Sequence, residues 1–129
     1  MFSNTQVTNI GMLHELKLRS VHLTRTAVSD ISPLVNPGLK ELHINGSYAS
    51  DLSPLKNAKN LEILFAHNCG ISDISPLENL IFKHVDLSGN IALKSIEGLK
   101  KSQLETLNIS STSVGCLELL RGSSLRELR

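Results

Sequence analysis

Apolar residues recur along this chain at a period of 21–22 residues, and a period of that length leaves few folds open. A unit counted from Leu18 carries Val21, Leu23, Val28, Ile31 and Leu34, with Thr26 among them. The unit from Leu39 gives Leu42, Ile44, Ala49, Leu52 and Leu55, with Ser47 in the Thr26 slot. From Leu61 follow Leu64, Ala66, Ile71, Ile74 and Leu77, with Cys69 in that slot. Phe82 opens Val85, Leu87 and Asn90, then Leu93, Ile96 and Leu99 after one extra residue. Leu104 opens Leu107, Ile109, Thr112, Val114, Leu117 and Leu120, and a further unit begins at Leu125 and Leu128. Upstream, Thr5, Val7, Ile10 and Leu13 fit the second half of a unit, which puts Phe2 at the Leu23 position.

The alternation of apolar and polar residues around each Leu-x-Leu segment predicts a short strand with one buried face. Strands that return once per unit in the same direction run parallel. A single unit cannot bury its own apolar edge, so successive units stack and their Leu, Ile and Val columns merge into one core. The remaining dozen or so residues of a unit are too few for a long return helix, and one 3₁₀ or α turn is expected instead. Three units carry Ser-Asp-(Ile/Leu)-Ser-Pro-Leu, at 29–34, 50–55 and 72–77. Ser before Pro there reads as a helix N-cap with Pro at the first helical position.

The pattern LxxLxLxx(N/T/S/C)x(V/I)xx(I/L)xxL resembles the leucine-rich repeat family over essentially all 129 residues. The phrase around Ser-Asp-Ile-Ser-Pro-Leu is similar to the short repeats of internalin-type and phosphatase-regulator-type proteins, and to surface-associated repeat proteins of trypanosome-like protists. The resemblance implies a solenoid with a parallel β-sheet on its concave face and short turns on its convex face. It also implies an inward polar residue where each strand ends, which bonds loop backbone that would otherwise be buried unpaired. Only Asn90 offers a full amide in that slot; Thr5, Thr26, Ser47 and Thr112 offer a hydroxyl and Cys69 a thiol, so a thinner ladder is expected. The whole of 1–129 reads as one repeat domain of about six units, with partial units at both ends, cut from a longer array.

Composition excludes several functions. Thirteen Lys+Arg against twelve Asp+Glu give a net charge of +1, which lacks the basic excess of a nucleic-acid binder. No apolar run reaches the roughly 18 residues of a membrane helix, and no signal peptide is visible. Catalytic and cofactor motifs are absent: there is no phosphate-binding glycine loop, no His-Glu-x-x-His, no Cys-x-x-Cys and no Gly-x-Ser-x-Gly. The expectation is therefore no enzyme, no cofactor and no metal. Cys69 and Cys116 occupy different columns two units apart, about 10 Å by strand spacing, so both should be free thiols. The lack of Cys-rich caps points toward a reducing, cytoplasmic compartment, although a parent protein could be surface-associated. Asn45-Gly-Ser and Asn108-Ile-Ser match the glycosylation acceptor but read as ordinary polar strand residues.

Function is expected on the inner surface. If Val21, Leu23 and their equivalents point inward, the residues between them face the groove. One groove column then reads His22, His43, Phe65, Asp86, Asn108, Arg129, and the column two residues earlier reads Ser20, Glu41, Ile63, His84, Thr106, Glu127. The column two residues later reads Thr24, Asn45, His67, Ser88, Ser110. His22, His43, His67 and His84 thereby surround Ile63 and Phe65, and these six residues are the expected contact surface for a protein partner. His22 and His43 should lie side by side, with no carboxylate or thiol to complete a metal set. Binding through this patch would weaken as the imidazoles charge between about pH 7 and 5. The alternatives are a regulatory or sensory segment of a larger enzyme or receptor, and a structural spacer. Uncapped ends further suggest head-to-tail self-association.

Overall fold

Each expected strand forms, and each is very short. In a computed structural model that describes residues 3–129, β1 is Ser20–His22, β2 Glu41–His43, β3 Ile63–Phe65, β4 His84–Asp86, β5 Thr106–Asn108 and β6 Glu127–Leu128. They make one six-stranded sheet in the order β1-β2-β3-β4-β5-β6, every pair parallel. The register matches the sequence columns: Val21 pairs with Leu42, Leu42 with Leu64, Leu64 with Val85, and Val85 with Leu107. The placement of Phe2 falls outside the described residues.

Ladder bonds continue past the strands into the first corner. Leu23 N–H donates to His43 O, Ile44 to Phe65 O, Ala66 to Asp86 O and Leu87 to Asn108 O, all at 2.8 Å. The corner then needs a left-handed residue in every turn. Asn4, Arg25, Gly46, Asn68, Gly89 and Ser111 all have φ between 52° and 72°, each one residue before the inward polar slot. Gly and Asn suit that conformation, whereas Arg25 and Ser111 hold it against Cβ crowding.

The inward slot behaves as the resemblance implied. Asn90 is fully buried, and its Oδ1 accepts from the N–H groups of Cys69 and Ile71, both at 3.0 Å. Its Nδ2 donates to Ala66 O at 2.9 Å and Leu87 O at 2.7 Å. The other slots do less. Thr26 Oγ1 donates to Leu23 O and Thr112 Oγ1 to Ile109 O. Ser47 Oγ accepts from Ala49 N–H, and the Cys69 thiol donates to Ile44 O at 3.1 Å. Burial raises the Cys69 thiol pKa above its ordinary value. Among the described residues no buried side-chain N or O lacks a partner.

On the convex side every unit contributes one 3₁₀ turn: Gly11–Glu15, Ser32–Leu34, Ser53–Asn57, Ser75–Leu77, Glu97–Leu99 and Glu118–Leu120. The expected Ser cap is corrected here. The N-cap positions are Ile31, Leu52 and Ile74, and none makes a side-chain cap bond. The aspartate one residue earlier does that work: Asp30, Asp51 and Asp73 Oδ1 accept from the N–H of Ser32, Ser53 and Ser75 at 2.8–2.9 Å. Bonds from those serines hold all three carboxyls below their usual pKa. Gly98 occupies the slot of Pro33, Pro54 and Pro76, and a Cβ there would run into the Ile74 carbonyl oxygen. The fourth unit therefore approaches its neighbour more closely than a side chain permits.

Between sheet and turns lies a core of stacked columns, with Phe82 as its largest fully buried side chain. Both cysteines are free, Cys69 buried and Cys116 exposed. No helix among the described residues is long and apolar enough to cross a membrane. Asn90→Ala should destabilise the fold by at least about 2 kcal/mol, because it strips buried Cys69 and Ile71 amides of their acceptor. Gly98→Ala should cost at least about 3 kcal/mol, the upper end of overpacking, because the atom it meets is backbone. Denaturant midpoints of the two variants check both.

Candidate functional site

The parallel register decides which groove side chains meet. His22 pairs with His43, His43 with Phe65, Phe65 with Asp86, and Asp86 with Asn108, so one row crosses the sheet. The rings of His22 and His43 stack with centroids 4.0 Å apart and planes 15° from parallel. Phe65 meets His43 edge to face at 4.7 Å and 87°. Such a T-shaped contact puts a positive ring edge on a π face. The expected side-by-side histidines are therefore present, and Phe65 extends them into a three-ring row.

The other expected residues are close by but joined differently. Ile63 stands in the neighbouring row, paired with Glu41 on one side and His84 on the other. His84 Nδ1 bonds Thr106 Oγ1 at 3.0 Å. His67 lies at the strand exit, where Nδ1 bonds Asn68 Nδ2 at 3.1 Å and its backbone N–H donates to Asn45 Oδ1. Among the described residues no ring contact links His67 or His84 to the His22–His43–Phe65 row. Ile63 and Phe65 are also half-buried rather than open to solvent, because flanking strands cover their sides. The most exposed large apolar side chains lie off the strands: Met12, Ile91 and Tyr48 are 89%, 76% and 72% exposed.

Sequence reasoning passed over two parts of this face. The first is its C-terminal half, where a hollow of about 200 Å³ is lined by Phe65, Asp86, Thr106, Asn108, Glu127 and Arg129. Asp86 accepts from Ser88 N–H and Oγ–H, and Asn108 Nδ2 donates to its other oxygen at 3.3 Å. The row thus passes from imidazole through phenyl to carboxylate, amide and guanidinium.

The second is Glu41. Its carboxylate and both imidazoles hold ligand atoms all within 4.8 Å of one another, so a carboxylate stands beside the histidine pair where the sequence reading looked for none. Ser20 ties the group together: its hydroxyl donates to Glu41 Oε2 and lies 3.2 Å from His22 Nε2. A hydroxyl whose proton goes to Glu41 accepts from the imidazole, so the proton of His22 sits on Nε2. This is not the wiring of a serine nucleophile, in which the imidazole stands between hydroxyl and carboxylate and takes the hydroxyl proton. The signal for Glu41 was present in the sequence, two residues before His43 and therefore on the same strand face.

Parallel strands in unbroken sequence order, one 3₁₀ turn per unit and the inward polar slot are now all placed. The fold is a leucine-rich-repeat solenoid. No family model matches the sequence, and no curated protein matches it significantly. Solved structures do: an internalin (inlF) of Listeria monocytogenes superposes with a TM-score of 0.79 at 23% identity, over 98% of this chain and 39% of that one. An internalin C2 (inlC2) of the same species gives a TM-score of 0.60 at 18% identity, covering 98% of this chain and 77% of that one. The solenoid thus spans well under half the length of the first neighbour and about three quarters of the second.

Burial, then the neighbouring His22, lower the pKa of His43 below its ordinary 6.5, while Glu41 opposes them. A histidine that protonates less readily when folded stabilises the fold above its unfolded pKa, and that stability is lost as pH falls from there through the lowered folded value. Acidification from about pH 7.5 to 5.5 should therefore lower the unfolding midpoint. In His22→Asn the His43 titration followed by NMR should move back up toward the ordinary value. No movement would mean that charge at His22 is not felt by His43.

Proposed function

We propose that this solenoid is a protein-interaction module that binds its partner on the concave sheet and carries no catalytic activity of its own. The observation that supports this most is the continuous row His22–His43–Phe65, which runs straight into the hollow bounded by Asp86, Asn108 and Arg129. Rings held by neighbours lose little side-chain entropy on contact, and aromatic anchors beside a polar rim are what protein interfaces concentrate their binding energy in. Ile63 adds apolar area next to Phe65, while His67 and His84 border the patch from the strand exit and the adjacent row. The hollow next to Phe65 supports a wider surface than the one read from sequence, extended to the Asp86–Arg129 side of the groove.

The two concave side chains flanking Phe65 differ in polarity, with the imidazole of His43 on one strand and the carboxylate of Asp86 on the next. A complementary partner would present an apolar group over Phe65 and hydrogen-bonding or basic groups toward Asp86. Ser20 caps the Glu41 carboxylate and the near-neutral net charge argues against a polyanion. Affinity capture with the wild-type chain, followed by titration of the captured protein, tests this. Phe65→Ala should weaken binding by about 2 kcal/mol or more, roughly thirtyfold. Equal capture by Phe65→Ala, Ile63→Ala and wild type would leave a spacer role as the better account.

A further inference from the structure

One end of the ring row belongs to a second cluster, made by Ser20 and His22 of β1 and Glu41 and His43 of β2. They form a square on the groove floor: Ser20 is in register with Glu41, and His22 with His43. Residues two apart on a strand project to the same face, so all four side chains rise together. The two imidazoles are stacked 4.0 Å apart, which sets their ring edges side by side, and the Glu41 carboxylate lies within 4.8 Å of both ligand nitrogens. We propose that His22, Glu41 and His43 form a binding site for a borderline divalent transition-metal ion of the zinc class.

Two imidazoles and one carboxylate are a known ligand set for zinc, with metal–ligand distances near 2.0–2.2 Å. Ligand atoms around such a tetrahedral ion stand roughly 3.3 Å apart. Atoms already within 4.8 Å of one another need to close by at most about 1.5 Å to reach that spacing, a distance on the scale of side-chain rotation. Nitrogen donors select zinc, nickel or copper over calcium and magnesium, which take six or more oxygens. Either ring nitrogen of a histidine can serve once its proton moves to the other.

The surroundings suit an ion as well. Ser20 Oγ is 3.2 Å from both His22 Nε2 and Glu41 Oε2, an outer partner that orients two ligands at once. On the far side Phe65 covers His43 edge-on, and Ile63 is the strand partner of Glu41, giving the site one apolar wall. All three ligands are half-buried, so the fourth position opens into the groove. Water would fill it in the free chain. An imidazole or carboxylate of a bound protein could replace that water, but ion binding itself needs no partner.

The test is titration of the full chain with zinc chloride, in a Cys116→Ser background so that the exposed thiol does not compete. One ion per chain is expected, and the ring resonances of His22 and His43 should shift while those of His14, His67 and His84 stay in place. His22→Gln and His43→Gln should each reduce zinc affinity by at least about tenfold, and Ser20→Ala by about 10–100-fold with every ligand still present. The proposal is overturned by an absence of ring shifts at saturating zinc. It is equally overturned by shifts confined to other histidines, or by unchanged affinity in the His22→Gln/His43→Gln pair. The resonance measurement needs no variant, so it stands even if a substitution disturbs folding.

Discussion

Everything in this molecule rests on how the chain leaves each strand. The first corner turns inward, carries backbone N–H and C=O groups away from water, and must satisfy them within the space of one unit. A left-handed residue and an inward polar side chain solve the problem together, from Asn4–Thr5 through Ser111–Thr112. Asn90 shows the arrangement at its fullest, reaching back to Ala66, Cys69 and Ile71 of the preceding unit. The hydroxyls of Thr26, Ser47 and Thr112 bond within their own corner, and the Cys69 thiol reaches back to Ile44 O, so neighbouring corners are stitched most firmly between the third and fourth units.

Once the corners are fixed, the strands have no freedom in register, and the groove inherits its geometry from that. His22, His43 and Phe65 touch because three corners at steps of 21 and 22 residues deliver them to one line. Along the rim just before the strands, Lys83 meets Glu62 at 2.7 Å with Lys40 at 4.0 Å beyond. Lys83 holds the Glu62 carboxyl below its usual pKa, but an exposed pair of this kind adds little stability.

Most of this was legible in the sequence, and the parts that were not have physical reasons. Column assignments for Val21, Leu42, Leu64, Val85 and Leu107 followed from a period-two pattern set within a period of 21–22, and such patterns carry register directly. The left-handed corner was less visible because Arg25 and Ser111 hide a column that Gly46, Gly89, Asn4 and Asn68 announce. Ser-Pro suggested a serine cap, yet Asp30, Asp51 and Asp73 have the shorter reach to the turn's first amide. The half-burial of Phe65 was not visible either, because a column pattern says which way a side chain points and not how far its neighbours lean over it. The column of Glu41 was readable, but the Ser20–Glu41 bond and the approach of its carboxylate to the imidazoles depend on rotamers, which no periodicity encodes.

A floor built this way is written one turn at a time. Each groove side chain faces only its counterparts in the turn before and the turn after, and the backbone beneath is the same at every step. Exchanging a whole turn, or copying one, therefore alters a single stripe of the surface while leaving both seams chemically familiar. Chemistry at one stripe, such as the paired imidazoles, can arise or vanish without renegotiating the rest of the chain.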